Sequence, residues 1–164
     1  MLHSQALNPD VQRLDALNSG EPSMDTWLAE HASGTEARRV ARTFVWATED
    51  QTVMAYYSLS GHRLVRDELP KAVGRGSPSE VPAVLLARLA LDRSLQGQGQ
   101  GGALLADALE RIVVATQTVA ARIVVVDALH DPAAAFYESY GFRRIPGTLR
   151  LIQKVNDVAA ALHS

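Results

Sequence analysis

An apolar run, Val84 to Leu91, leads into Gln96-Gly97-Gln98-Gly99-Gln100-Gly101-Gly102, and that segment opens an amphipathic run, Ala103 to Thr116. A strand, a glycine-rich turn and a helix N-terminus in that order constrain this chain more than any other feature. The first N–H groups of a helix have no intrahelical acceptor and lie at the positive end of its dipole. Glycines let such a backbone approach a ligand closely and adopt positive φ. The segment therefore predicts a site for a phosphorylated ligand.

The spacing narrows the choice of ligand. No Gly-Lys-Ser/Thr follows, so this is not a Walker loop. Gly97-x-Gly99-x-Gly101 has the wrong interval for a dinucleotide fingerprint. The pattern that fits is Gln/Arg-x-x-Gly-x-Gly/Ala, met by Gln96, Gly99 and Gly101. A second motif follows the strand-like run Arg122 to Leu129: Asp131-Pro-Ala-Ala-Ala-Phe-Tyr-Glu-Ser-Tyr-Gly-Phe142. Pro132 suits a first helical turn, Asp131 its N-cap and Gly141 its stop.

The first motif resembles the coenzyme A pyrophosphate loop of the GNAT acetyltransferases. Ala-Phe-Tyr-Glu-x-x-Gly-Phe resembles their last motif, in the right order and about 35 residues further on. The likeness extends through Leu17 to Leu28, Arg42 to Trp46, Ala55 to Leu59 and Leu86 to Asp92. Together these are similar to the GNAT toxins of type II toxin–antitoxin modules (the TacT and AtaT type), over about residues 11 to 155. Ser19 and Met24 depart from that pattern, where Cys and Leu are common.

The resemblance implies a mixed α/β fold, the GNAT acyl-CoA N-acyltransferase fold, with a central, mostly antiparallel twisted sheet and helices on both faces. It implies one domain over 1–164 and acetyl-CoA as cofactor. Leu89, Ala90 and Leu91 would present a backbone N–H to the thioester carbonyl. Gln96, Gly97, Gln98, Gly99, Gln100, Gly101 and Gly102 would hold the pyrophosphate, and Asp131, Ala134 and Phe136 would complete the cofactor site. Tyr137 would be the catalytic acid for the departing thiolate, since a phenol has a pKa near 10. Tyr140 is a weaker choice. The implied substrate is the α-amine of aminoacyl-tRNA, whose acetylation stops translation. The implied partners are a second copy of the chain and a ribbon-helix-helix antitoxin with an extended C-terminal segment. Alternatives are a transferase for protein N-termini or small amines, and a coenzyme A-binding regulator without turnover.

Composition sets further bounds. The chain has 164 residues, enough for a real core, and no cysteine, which excludes disulfides and a cysteine nucleophile. The formal net charge is −2, which argues against non-specific coating of nucleic acid. Arginines nonetheless cluster, and Arg38, Arg88, Arg93, Arg143, Arg144 and Arg150 are the candidate tRNA contacts, with Arg39 and Arg42 nearby. His31, His62 and His130 are the candidate bases by type. An α-amine has a pKa of about 7.7–8.0 and needs little help to be neutral. No metal-ligand cluster stands out. Neither a leader-like start nor a membrane-length apolar run is visible, so a cytoplasmic location is expected.

Periodicity predicts a helix over Met24–His31 capped by Ser23, strands over Arg42–Ala47 and Thr52–Leu59, and a long loop from Gly61 to Val81. It further predicts a helix over Ala103–Thr116 with Leu104, Leu105, Ala108, Leu109, Ile112 and Val113 on one face. A strand over Thr148–Val155 and a helical tail over Asp157–Leu162 complete the reading.

Overall fold

The computed structural model describes residues 2–164. In chain order the elements are β1 (His3–Ala6), α1 (Pro22–Glu30), α2 (Ala32–Ala37), β2 (Arg42–Ala47), β3 (Val53–Val65), α3 (Lys71–Gly74) and β4 (Glu80–Leu91). They continue with α4 (Gln100–Ala115), β5 (Ile123–Asp127), α5 (Asp131–Glu138), β6 (Arg143–Arg144), β7 (Arg150–Lys154) and α6 (Val155–Leu162). The strand order is β1-β2-β3-β4-β5-β7-β6. The β4–β5 pair is parallel, while β1–β2, β2–β3, β5–β7 and β6–β7 are antiparallel. The mixed, mostly antiparallel α/β class follows.

The chain divides into two compact units. One comprises residues up to Ser60 together with Ala87–Ala108, and the other comprises Gly61–Leu86 and Leu109–Ser164. In the first, alternation along β2 turns Thr43, Val45 and Ala47 inward. Val45, Val53, Tyr56, Leu28 and Ala32 are its fully buried centre. The Tyr56 hydroxyl donates to the main-chain oxygen of Met24 at 2.7 Å, so this buried phenol is satisfied and α1 is fixed on β3. Asp107 on α4 accepts from Ser4 Oγ at 2.7 Å and from Trp46 Nε1 and Tyr57 Oη at 3.1 Å each. One carboxylate thereby ties β1, β2 and β3 to the helix that follows the glycine loop.

In the second unit, Val81, Ile123, Val125 and Ile152 form the core. The strand β5 lies between β4 and β7, so Ile123 to Val126 are buried on both faces, as their unbroken apolar run requires.

Several local expectations need correction. Glu21, not Ser23, sits at the N-cap of α1, because Pro22 takes the first helical position and needs no N–H acceptor. His130, not Asp131, caps α5: its Nδ1 accepts from Ala133 N at 3.1 Å, and Asp131 is the first helical residue. The expected loop from Gly61 is structured, since β3 runs on to Val65, Arg66–Glu68 forms a 3₁₀ turn and α3 follows. The short strand β1 and the helix α2 were not expected at all. Both are polar pieces without apolar periodicity.

Candidate active site

The β4 strand carries Leu89 half-buried and Ala90 and Leu91 buried, up to its C-terminal end. A 3₁₀ turn over Arg93–Leu95 follows, capped by Asp92, whose Oδ2 accepts from Ser94 N at 3.1 Å. Asp92 Oδ1 accepts from Asn18 N at 2.9 Å, and Arg93 N donates to Asn18 O at 2.8 Å. Gln96 Nε2 donates to the main-chain oxygens of Leu91 and Ser19 at 2.8 Å each. The Gln96 side chain therefore braces the turn from behind.

Beyond that brace the backbone is open. Gly97 and Gly99 adopt φ of +76° and +78°, and a Cβ at either would meet nothing within 4 Å. Gln100, Gly101 and Gly102 are the first residues of α4, so their N–H groups have no intrahelical acceptor. No acidic residue lies in the first turn of α4. An exposed, positive-φ glycine pair beside free helical donors fits a pyrophosphate. The segment from Gln96 to Gly102 joins the end of β4 to the first turn of α4, the strand–turn–helix order that the sequence predicted.

The second motif lies in the other unit. Tyr137 on α5 is 8% exposed, with Phe136 and Phe142 rings edge-on at 5.3 and 5.7 Å. Burial alone pushes its phenol well above its ordinary pKa. The group is protonated throughout the neutral range and is available as a hydrogen-bond donor. Ala134 is buried, Phe136 is half-buried and Asp131 is exposed on the same helix. Tyr140 is exposed.

The arginines fall into two sets. Arg144 pairs with Asp131 at 3.0 Å and Glu138 at 3.7 Å. Arg150 grips Asp127 with Nε at 2.7 Å and Nη2 at 2.8 Å. Arg42 pairs with Glu36. Arg88 lies 4.6 Å over the Trp27 ring, which stacks on Tyr56. Arg38, Arg93 and Arg143 have no carboxylate partner among the described residues.

The histidines are constrained too. An arginine has no acceptor, so the 3.3 Å contact between Arg150 Nη1 and His62 Nε2 makes that nitrogen the acceptor. His130 spends Nδ1 on its helix cap. His31 is exposed between α1 and α2. No group of three or more potential metal ligands occurs among the described residues.

The glycine cradle in one unit is suited to a pyrophosphate, and the protonated tyrosine in the other to a departing thiolate, which are two parts that acyl transfer from coenzyme A needs. The chain belongs to the GNAT acetyltransferase family: the GNAT acetyltransferase domain matches residues 41–144. It is 36% identical over 154 residues to the tRNA-acetylating toxin of Mycobacterium tuberculosis, covering 93% of this chain and 92% of that protein. The solved structure of AtaT complexed with acetyl-methionyl-tRNAfMet superposes with a TM-score of 0.90 at 28% identity, covering 98% of this chain and 99% of that one. A Tyr→Phe variant of AtaT bound to the C-terminus of the antitoxin AtaR and acetyl-CoA gives 0.84 at 27%, covering 99% of both chains.

Proposed function

We propose that this chain is the toxin of a type II toxin–antitoxin module. It transfers acetyl from acetyl-CoA to the α-amine of aminoacyl-tRNA and so blocks translation. The observation that carries the reading is the open glycine cradle at the start of α4, in a chain 36% identical to a protein named as a tRNA-acetylating toxin over 92% of that protein's length. The region 1–164 acts as one acetyltransferase in the cytoplasm, as a homodimer. A ribbon-helix-helix antitoxin neutralises it through an extended C-terminal segment.

The residues divide the work. Gly97, Gly99 and the donors of Gln100 to Gly102 hold the pyrophosphate, with Gln96 bracing them. A backbone N–H of the Leu89–Leu91 segment polarises the thioester carbonyl as an oxyanion donor. Asp131, Ala134 and Phe136 line the cofactor's remaining length. The bond from nitrogen to the acetyl carbon forms as the carbon–sulfur bond breaks. Tyr137 hydrogen-bonds to the sulfur as charge develops there. Full transfer from a phenol of raised pKa to a thiolate runs uphill by about 1.4 kcal/mol per unit. The hydroxyl therefore stabilises the leaving thiolate first; as it yields its proton to the sulfur, the proton shed by the acylated amine passes through water to the phenolate and restores the phenol. The ester-linked α-amine is neutral enough to attack without a histidine. Arg38, Arg88, Arg93 and Arg143 contact the tRNA, with Arg144 and Arg150 as secondary contacts because each already carries a carboxylate.

Induced expression in a bacterial host tests this reading. Wild type arrests growth and Tyr137→Phe does not. Equal growth of both, with the protein present and folded, overturns the toxin assignment.

A further inference from the structure

Five cations that belong to neither motif gather within the unit formed by Gly61–Leu86 and Leu109–Ser164. Arg66, Lys71 and Arg75 line a cleft of about 410 Å³ with Gly74 and Gly76. Arg122 and Lys154 line a second cleft, of about 450 Å³, beside Pro82 and Val155. Arg122 Nη2 donates to the main-chain oxygen of Arg75 at 3.2 Å, so the two clefts adjoin. Arg66 Nη1 donates to Ser77 O at 3.2 Å, which fixes its guanidinium at the cleft wall.

Four of the five carry no internal counter-charge among the described residues. Arg66 pairs with Asp67 at 3.4 Å. Lys71, Arg75, Arg122 and Lys154 have no carboxylate partner among the described residues. Asp157 is the one acid lining the second cleft. Cations of like sign repel one another, and such a grouping is favourable only when a counter-charge covers it.

The register places this strip. Ile123 pairs with Lys154 at the start of β5, while Asp127 pairs with Arg150 at its end. Four residues of strand separate the two ends, about 13 Å. Arg122 and Lys154 are thus at the opposite end of β5 from Arg150 and the start of α5, and the hydrogen bond from Arg122 joins Arg75 to that end. A ligand that touches both ends is larger than an amine or an amino acid.

We infer that the strip Arg66–Lys71–Arg75–Arg122–Lys154 is a second RNA-binding face, which takes backbone phosphates of the tRNA away from its aminoacylated end. This rests on the proposed tRNA substrate. Three of the five cations are arginines, whose planar fork matches phosphate oxygens. Asp67 and Leu69 also line the first cleft, and Ala120 and Ala121 the second, so each has small or aliphatic walls and neither holds an aromatic anchor; exposed cations over such walls suit a phosphate backbone.

The test compares wild type with Lys71→Glu/Arg75→Glu/Lys154→Glu. Dissociation constants are measured against salt for deacylated full-length tRNA and for an acceptor-stem minihelix, and acetylation of aminoacyl-tRNA is measured in parallel. The inference expects the variant to bind full-length tRNA about tenfold more weakly at 0.15 M salt. The magnitude of its log–log salt slope falls by about two. Minihelix binding stays as in wild type. An unchanged affinity and slope for full-length tRNA overturns the inference. So does an equal loss on both RNAs, or unchanged tRNA binding with lost binding to polyglutamate, which would assign the face to an acidic protein. If wild type acetylates no aminoacyl-tRNA yet shows the expected slope difference, the strip stands and the proposed reaction falls. If the triple variant does not fold, Lys71→Gln/Arg75→Gln at two exposed positions gives the same comparison with a slope change of about one to two.

Discussion

The Gln96 side-chain amide donates to the main-chain oxygen of Leu91 at 2.8 Å, across the turn that separates β4 from the glycine cradle. The same amide reaches Ser19 O, so one residue fixes the turn to both the strand end and the segment before α1. Gln96→Ala removes two hydrogen bonds worth about 1 kcal/mol each. Acetyl-CoA affinity should fall about tenfold, with the maximal rate changed much less. Calorimetric titration with coenzyme A measures the first and steady-state kinetics the second. An unaltered dissociation constant would show that the brace does not govern the cradle.

Gly99 lies at φ +78° with open space around its missing Cβ. A side chain there is not excluded by neighbours, so Gly99→Val should cost only the left-handed backbone strain, about 1–2 kcal/mol. The fold survives, and coenzyme A binding is lost because the side chain stands where the phosphate would. Thermal unfolding with and without coenzyme A separates the two effects. Ligand-induced stabilisation should vanish.

Tyr137→Phe should leave coenzyme A binding intact and lower turnover about 10²–10⁴-fold. It should not destabilise the protein. The hydroxyl makes no hydrogen bond to another described residue, so deleting it leaves no partner unsatisfied. A large fall in melting temperature would give Tyr137 a structural role instead.

Much of this site is legible in the sequence, and the reason is locality. The cradle and α5 are each specified by residues within a dozen positions, through glycine conformation, proline placement and helix periodicity. The strand β2 was readable for the same reason. Boundaries failed where one local preference competed with another: Pro22 displaced Ser23 from the cap, and the His130 imidazole took the cap from Asp131. Charge pairing was not legible at all. Asp127 and Arg150 lie 23 positions apart and meet through the register of β5 on β7, while Asp107 on α4 meets Ser4 across 103 positions through packing of the helix on the sheet. Counting arginines therefore overstated how many are available to phosphate.

The Asp127–Arg150 pair gives an acid dependence of stability. The Arg150 guanidinium holds the Asp127 carboxyl below its ordinary value of 3.8, against a smaller opposing effect of burial. A carboxyl with a lowered folded-state pKa contributes stability that is present above the unfolded value and lost as pH falls through the folded one. The side chain of Asp127 is 49% exposed, so the contribution is that of a surface pair, about 0.5 kcal/mol. Asp127→Asn should lower stability by that amount at pH 7 and converge on wild type as pH falls from 3.8 through the lower folded-state value. Urea unfolding at several pH values checks it. Parallel stability curves across that range would mean the pair carries no net free energy.

The central claim is acetyl transfer to the amine of an aminoacylated tRNA. It is tested most directly by incubating the protein with labelled acetyl-CoA and a total pool of charged tRNA, with the deacylated pool as control. Label confined to the charged pool, and lost on mild alkaline release of the amino acid, is the predicted result. No label on any charged tRNA by a protein that binds coenzyme A would contradict the account.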